Sequence, residues 1–209
     1  MKLIVISPSK TTANEIKIVN ELFEHGLETF HLRKPSMSTK EMKKYIESIP
    51  AHFYKRIIIH SHHKLAGKYS LKGIHLTKKH ARKKFRTWLR LHLLKIKNPG
   101  LVVTTSYHRL ASVYEKNKKY DYVFLGTIFD QLSNKFNAGY NETSLRAALS
   151  KTKLPVIARG GTNAEKIKEC GDLGFSGMAF YSGVWKKENP VEEFCAIVNK
   201  CRELGIKVE

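Results

Sequence analysis

Short apolar runs rich in β-branched residues recur at 2–6 (KLIVI), 56–59 (RIII), 101–105 (LVVTT), 120–125 (YDYVFL), 154–158 (LPVIA) and 175–181 (FSGMAFY), with shorter ones at 27–32 (LETFHL) and 73–76 (GIHL). Their hydrophobicity is nearly continuous and does not alternate, as expected of strands covered on both faces. The segments between them are polar with helical spacing: Ile16, Val19, Leu22 and Phe23 in 11–25, Met42, Tyr45, Ile46 and Ile49 in 38–49, and further stretches at 142–150 and 190–204. Eight strands alternating with helices admit a closed barrel or an open doubly wound sheet. The dinucleotide fingerprint GxGxxG is missing after the first run, where Ser7-Pro8-Ser9 stands. That weighs against a dinucleotide site and leaves both architectures open.

A chain of 209 residues, 42% of them hydrophobic, can bury one core, and no Pro/Gly/Ser-rich linker divides it, so a single domain spanning 1–209 is expected. The N-terminal MKLIVISPSK is too short in apolar residues for a signal peptide or a span of roughly 20 residues, which predicts a soluble cytoplasmic protein without membrane contact. Cys170, Cys195 and Cys201 lack metal-type spacing and fall in helical segments, so reduced thiols are expected. A formal charge of +20 favours anionic partners, either small phosphorylated substrates or nucleic acid. Its densest cluster, KKHARKKFRTWLR at 78–90, reads as a basic amphipathic helix around Phe85, Trp88 and Leu89, for which a solvated outer face is the simpler account. No RRM, KH or helix-turn-helix pattern accompanies it, so no specific nucleic-acid partner is expected.

The richest segment for chemistry is VIARGGTN at 156–163, where a strand runs through Gly160-Gly161 into Thr162-Asn163, good helix-capping residues. Such a junction turns free backbone N–H groups toward an anion. A second small-residue turn, Ser182-Gly183, follows the last strand. In α/β barrels the turns after the seventh and eighth strands are the usual phosphate site. The second strand ends in His31-Leu32-Arg33-Lys34-Pro35, where Arg33 can grip phosphate oxygens bidentately or serve as a rim salt bridge. His60-Ser61-His62-His63 invites a metal reading in which His60 and His62 share one face, but no carboxylate or Cys accompanies them and no metal site is expected from these residues. Ser106-Tyr107-His108 closes the fifth strand, with Ser106 either an N-cap or an anion ligand, and the polar loop 126–135 brings Lys135 as a point charge.

Taken in order, FHLRK, RIIIHSHHKLA, LKGIHLT, TTSYH, YDYVFLGTIF, LPVIARGGT and GMAFYSGV resemble successive strand-end motifs of the thiamine phosphate synthase and thiazole tautomerase family, over about residues 2–185. The resemblance implies a (β/α)8 TIM barrel. It also implies a transferase that joins hydroxymethylpyrimidine pyrophosphate to thiazole phosphate, releasing pyrophosphate through a pyrimidine-methyl cation. By the same resemblance Arg33, Ser106 and Lys135 form the catalytic set holding the leaving group. His31 and His60 contact substrate, while Gly160, Gly161, Ser182 and Gly183 hold the thiazole phosphate.

The departures bear on the cofactor. The family's synthases use Mg2+, bound by aspartates after the third strand and past the GVHL motif, where this chain has Ser61 and His80. His31 replaces a glutamine, Pro35 replaces a second cation, and Lys34 and the nearby histidines are the available substitutes. The tautomerase branch needs no metal but uses a histidine where Thr127 stands. The expected function is therefore a synthase-like transferase in thiamine biosynthesis. Its alternatives are a thiazole phosphate tautomerase, a non-catalytic binder of thiamine precursors and, least favoured, nucleic-acid binding through 78–90, with a homodimer compatible with any of them.

Overall fold

Strands whose side chains are apolar on both faces must be covered on both, and a parallel barrel wrapped in helices satisfies that demand. In the computed structural model, which describes residues 1–114, 120–130, 135–137 and 140–209 apart from the side chains of Ala81 and Lys84, eight strands form it. They are β1 (Lys2–Ile6), β2 (Thr29–Leu32), β3 (Ile57–Ile59), β4 (Gly73–Leu76), β5 (Val102–Tyr107), β6 (Tyr122–Leu125), β7 (Val156–Arg159) and β8 (Gly177–Phe180). They follow one another in sequence order around a closed barrel, which decides against the open sheet. The helices between them are α1 (Glu15–Glu24), α2 (Thr39–Glu47), α3 (Lys64–Lys68), α4 (Lys78–Arg82), α5 (Lys84–Lys97), α6 (Glu142–Lys151), α7 (Ile167–Leu173), α8 (Ser182–Trp185) and α9 (Pro190–Glu203). No helix among the described residues is long and apolar enough to cross a membrane.

Contacts group the chain into two units, Ser7–Thr105 and Met1–Ile6 with Ser106–Glu209. In the first, His31 pairs with Ile58, Ile59 with Ile74 and His75 with Thr104 in parallel register. Helix α1 buries Val19, Leu22 and Phe23 as its spacing predicts, but Glu15 goes inside while Ile16 is only half-buried. The reason is Lys34, whose Nζ lies 2.6 Å from Glu15 Oε2. Helix α2 opens with a capping box in which Ser38 Oγ accepts from Glu41 N–H and Glu41 Oε2 accepts from Ser38 N–H.

The basic segment 78–90 is not one amphipathic helix. It breaks at Lys83 between α4 and α5. Helix α5 buries Thr87 and Leu94 and turns its large apolar residues outward, with Phe85 72% and Trp88 59% exposed.

In the second unit, Leu125 pairs with Ala158, Arg159 with Ala179 and Val5 with Phe180. Helix α9 starts with Asn189 accepting from Val191 and Glu192 N–H and with Pro190 at its first position, a favoured N-terminal pairing. All three cysteines are free thiols, and burial pushes Cys170 up to about 12.

Candidate active site

The turns after β7 and β8 are built by sterics. Gly160 and Gly161 both have positive φ, at 89° and 66°. A side chain at Gly160 would meet Thr127, and one at Gly161 would meet the carbonyl and Cβ of Phe129. Glycine is required twice over, by conformation and by space. Thr162 and Asn163, paired in the sequence as capping residues, divide the work. Asn163 Oδ1 accepts from Lys166 N–H at 3.2 Å, whereas the Thr162 hydroxyl donates to the carbonyl of Ala179 at the end of β8, at 2.6 Å. Gly183 packs so closely on Thr162 that an added Cβ would run into the Thr162 carbonyl oxygen. The two turns are therefore in contact. Ser182 opens α8 with its side chain half-buried, and Trp185 Nε1 donates to the carbonyl of Ile6 at 2.9 Å.

Ser106 lies inside β5, half-buried, so it is a strand residue and not an N-cap. Lys135 is exposed, and its carbonyl accepts from Asp130 N–H at 2.8 Å beside a bridge between Phe129 and Phe136. The remainder of the loop expected to close over a ligand, 131–134, lies outside the described residues. The Lys166 ammonium stands 4.8 Å from the centre of the Phe129 ring while pairing with Glu169 at 2.7 Å.

At the ends of β2, β3 and β4 the chemistry lies in side chains. Arg33 is exposed, its backbone clamped by Ser7 Oγ, which accepts from Arg33 N–H at 2.8 Å and donates to Arg33 carbonyl at 3.2 Å. Its guanidinium has no partner among the described residues, so the rim salt bridge open in the sequence is not formed. Lys34, offered by the sequence as a second ligand-facing cation, is 1% exposed and points the other way. Besides Glu15 it donates to the Lys10 carbonyl at 3.0 Å, and Tyr45 donates to the second Glu15 oxygen at 2.6 Å. Burial holds the Lys34 ammonium below its usual pKa, with Glu15 opposing that effect.

The expectation that His60 and His62 share a face is overturned. His62, with a positive φ of 52°, turns toward Thr39 Oγ1 at 2.9 Å and the Met37 carbonyl at 2.8 Å. His60 instead meets His31 at 2.9 Å between His60 Nε2 and His31 Nδ1, and stacks on His75 with ring centres 4.2 Å apart. His75, not singled out in the sequence, carries a signal in hindsight. It lies two residues past Gly73, which the register through Ile58 sets level with His31, and alternation along a strand gives the two histidines one facing. His63 is buried as well, with neither ring nitrogen in a well-formed hydrogen bond. Burial, then the neighbouring His80 and Arg90, push its pKa down to about 3.

Residues 3–184 match the family of thiamine monophosphate synthases. The chain belongs to this family. Among curated relatives, the thiamine-phosphate synthase of Pyrococcus abyssi is 25% identical over 188 residues, covering 88% of this chain and 86% of that protein. Among solved structures, a thiamine phosphate pyrophosphorylase from Bacteroides thetaiotaomicron superposes with a TM-score of 0.76 at 28% identity, covering 97% of this chain and 98% of the other. The enzyme of that name from Pyrococcus furiosus shares the fold with a TM-score of 0.75 at 21% identity over 97% and 96% of the two chains.

Family members of this kind use Mg2+, and the residues here do not fit it. Mg2+ is held by oxygen ligands, carboxylates foremost. From 48 to 114 the chain carries no Asp or Glu, while eight of its ten histidines fall there. At the two positions where carboxylates are expected, Ser61 offers a hydroxyl and His80 an imidazole whose Nδ1 lies 3.0 Å from Thr77 Oγ1. Burial, then Arg90, Lys79 and Lys83, hold His80 below the usual imidazole pKa, so its surroundings are cationic.

Proposed function

We propose that the protein is a synthase-like transferase of thiamine biosynthesis that joins hydroxymethylpyrimidine pyrophosphate to thiazole phosphate. The observation that carries this reading is the contact between the turns after β7 and β8, where Gly160, Gly161 and Gly183 leave room for nothing larger than hydrogen and Ser182 adds a hydroxyl. Small residues and bare backbone of this kind suit the phosphate of the thiazole.

In the reaction, the bond from the pyrimidine methylene carbon to the pyrophosphate oxygen breaks, with its electron pair leaving on pyrophosphate. The thiazole nitrogen then supplies the pair that forms the new carbon–nitrogen bond. Arg33, with its unengaged guanidinium, stabilises the charge gathering on the leaving group, and Ser106 and Lys135 are assigned to the same task. His31 and His60 contact substrate on this reading. Purified protein, both substrates and Mg2+ will yield thiamine phosphate, measured as fluorescent thiochrome after oxidation. No product at high enzyme concentration removes the transferase reading.

The missing carboxylates favour a second reading, a non-catalytic binder of thiamine precursors in the same pocket. Thr127, where the tautomerase branch uses a histidine, disfavours tautomerase chemistry. The binder reading expects calorimetric binding of thiazole phosphate without turnover, lost in Ser182→Asp. Normal binding by that variant excludes the turns after β7 and β8 as the phosphate site on either reading.

A further inference from the structure

We propose that His31, His60 and His75 bind a divalent transition-metal ion of the zinc class. One nitrogen from each ring falls in a cluster whose members all lie within 4.8 Å of one another. Two imidazole nitrogens bound to one tetrahedral ion at about 2.0–2.1 Å stand roughly 3.3 Å apart. The His31 to His60 separation of 2.9 Å and the 4.8 Å limit bracket that value, and rotation of the rings about their side-chain bonds, which unstacks His60 from His75, turns the three nitrogens onto one ion. His31 and His75 lie in β2 and β4, and His60 follows β3 directly, its N–H donating to the Leu32 carbonyl at 3.2 Å. Ligands on rigid strands are held more precisely than ligands on loops.

The outer contact is also present. His75 Nδ1 is 2.8 Å from the buried hydroxyl of Thr104 on the adjoining strand, the kind of partner that fixes the tautomer of a ligating imidazole and presents its other nitrogen. His31 and His75 are 0% and 3% exposed, while His60 is half-buried, which leaves a route in for the ion and a coordination position open to water or an anion. Neutral nitrogen donors select Zn2+, Co2+, Ni2+ or Cu2+ over Mg2+. The acid-free stretch from 48 to 114 supplies nothing that reverses the preference.

This site does not depend on the transferase reading, and its test does not use activity. The full chain, stripped with a chelator and dialysed against Zn2+, is expected to retain a single equivalent by mass spectrometry in the presence of excess Mg2+. Titration with Co2+ is expected to give the intense visible bands of a four-coordinate, nitrogen-ligated ion. His31→Gln and His75→Asn should each abolish those bands, and Thr104→Val, acting through His75, should weaken binding about 10- to 100-fold. His92→Ala, on α5, should change nothing. Circular dichroism identifies any variant that fails to fold. The cobalt spectrum of the unaltered protein decides by itself: weak bands of a hexa-aqua ion, or no retained zinc, overturn the proposal. So does retention that survives both folded ligand variants.

Discussion

The turns after β7 and β8 and the ends of β2 to β4 solve different problems with different materials. In the former the constraint lies in backbone: Gly160, Gly161 and Gly183 are fixed by the collisions a side chain would make with Thr127, Phe129 and Thr162. In the latter it lies in side chains that stand at strand ends whose backbone is already determined. The difference separates two turns whose glycines are dictated by backbone and space from a cluster of three imidazoles set in a stretch, 48 to 114, that carries no Asp or Glu.

The largest expected effect sharpens the line between architecture and site within the histidine-bearing unit. Lys34→Met removes the partner of a Glu15 carboxylate that is itself 0% exposed, and stranding a buried charge costs about 3–5 kcal/mol. Urea denaturation should show that loss, with Glu15→Gln/Lys34→Met recovering much of it because no charge is then left inside. A loss under about 1 kcal/mol means water reaches the pair. Its sequence neighbour should behave oppositely. Arg33→Ala leaves stability unchanged, since no partner loses a contact, and weakens pyrophosphate binding by about 1.5–3 kcal/mol, the range for a hydrogen bond to a charged group. An unaltered inhibition constant for pyrophosphate makes Arg33 structural or idle.

That pair of neighbours also shows what was legible in the sequence. The eight apolar runs mark the strands because burial on both faces leaves a pattern in one dimension, and the barrel closure agrees with the family resemblance. The glycine turns were legible for the same reason, since backbone demands are local. Which of Arg33 and Lys34 stays exposed was not, because it depends on Glu15 arriving from α1 to claim one of them. Nor was the grouping of His60 with His31 and His75 in place of His62, which is set by strand register and by a left-handed backbone at His62. The exposed Phe85 and Trp88 mislead in the same way: apolar spacing names a helix face but not what lies against it.

The smallest effect probes whether the turns after β7 and β8, the proposed thiazole phosphate site, are held by backbone. Asn163 contributes a cap, its Oδ1 accepting from Lys166 N–H at 3.2 Å, just past the glycine pair and ahead of α7. Losing an N-cap typically costs about 1 kcal/mol, which in a domain of this size lowers the melting temperature by about 2–4 °C. Asn163→Ala should show that shift by calorimetry. It should also bind thiazole phosphate nearly as the parent does, because Gly161 stays wedged against Phe129 and Thr162 stays bonded to Ala179 whether or not the cap is made. If binding falls severalfold while melting barely moves, the asparagine is shaping the turn for the ligand. Side chains, not only backbone, would then carry recognition in both regions, and the contrast between them would narrow to the kind of side chain each employs.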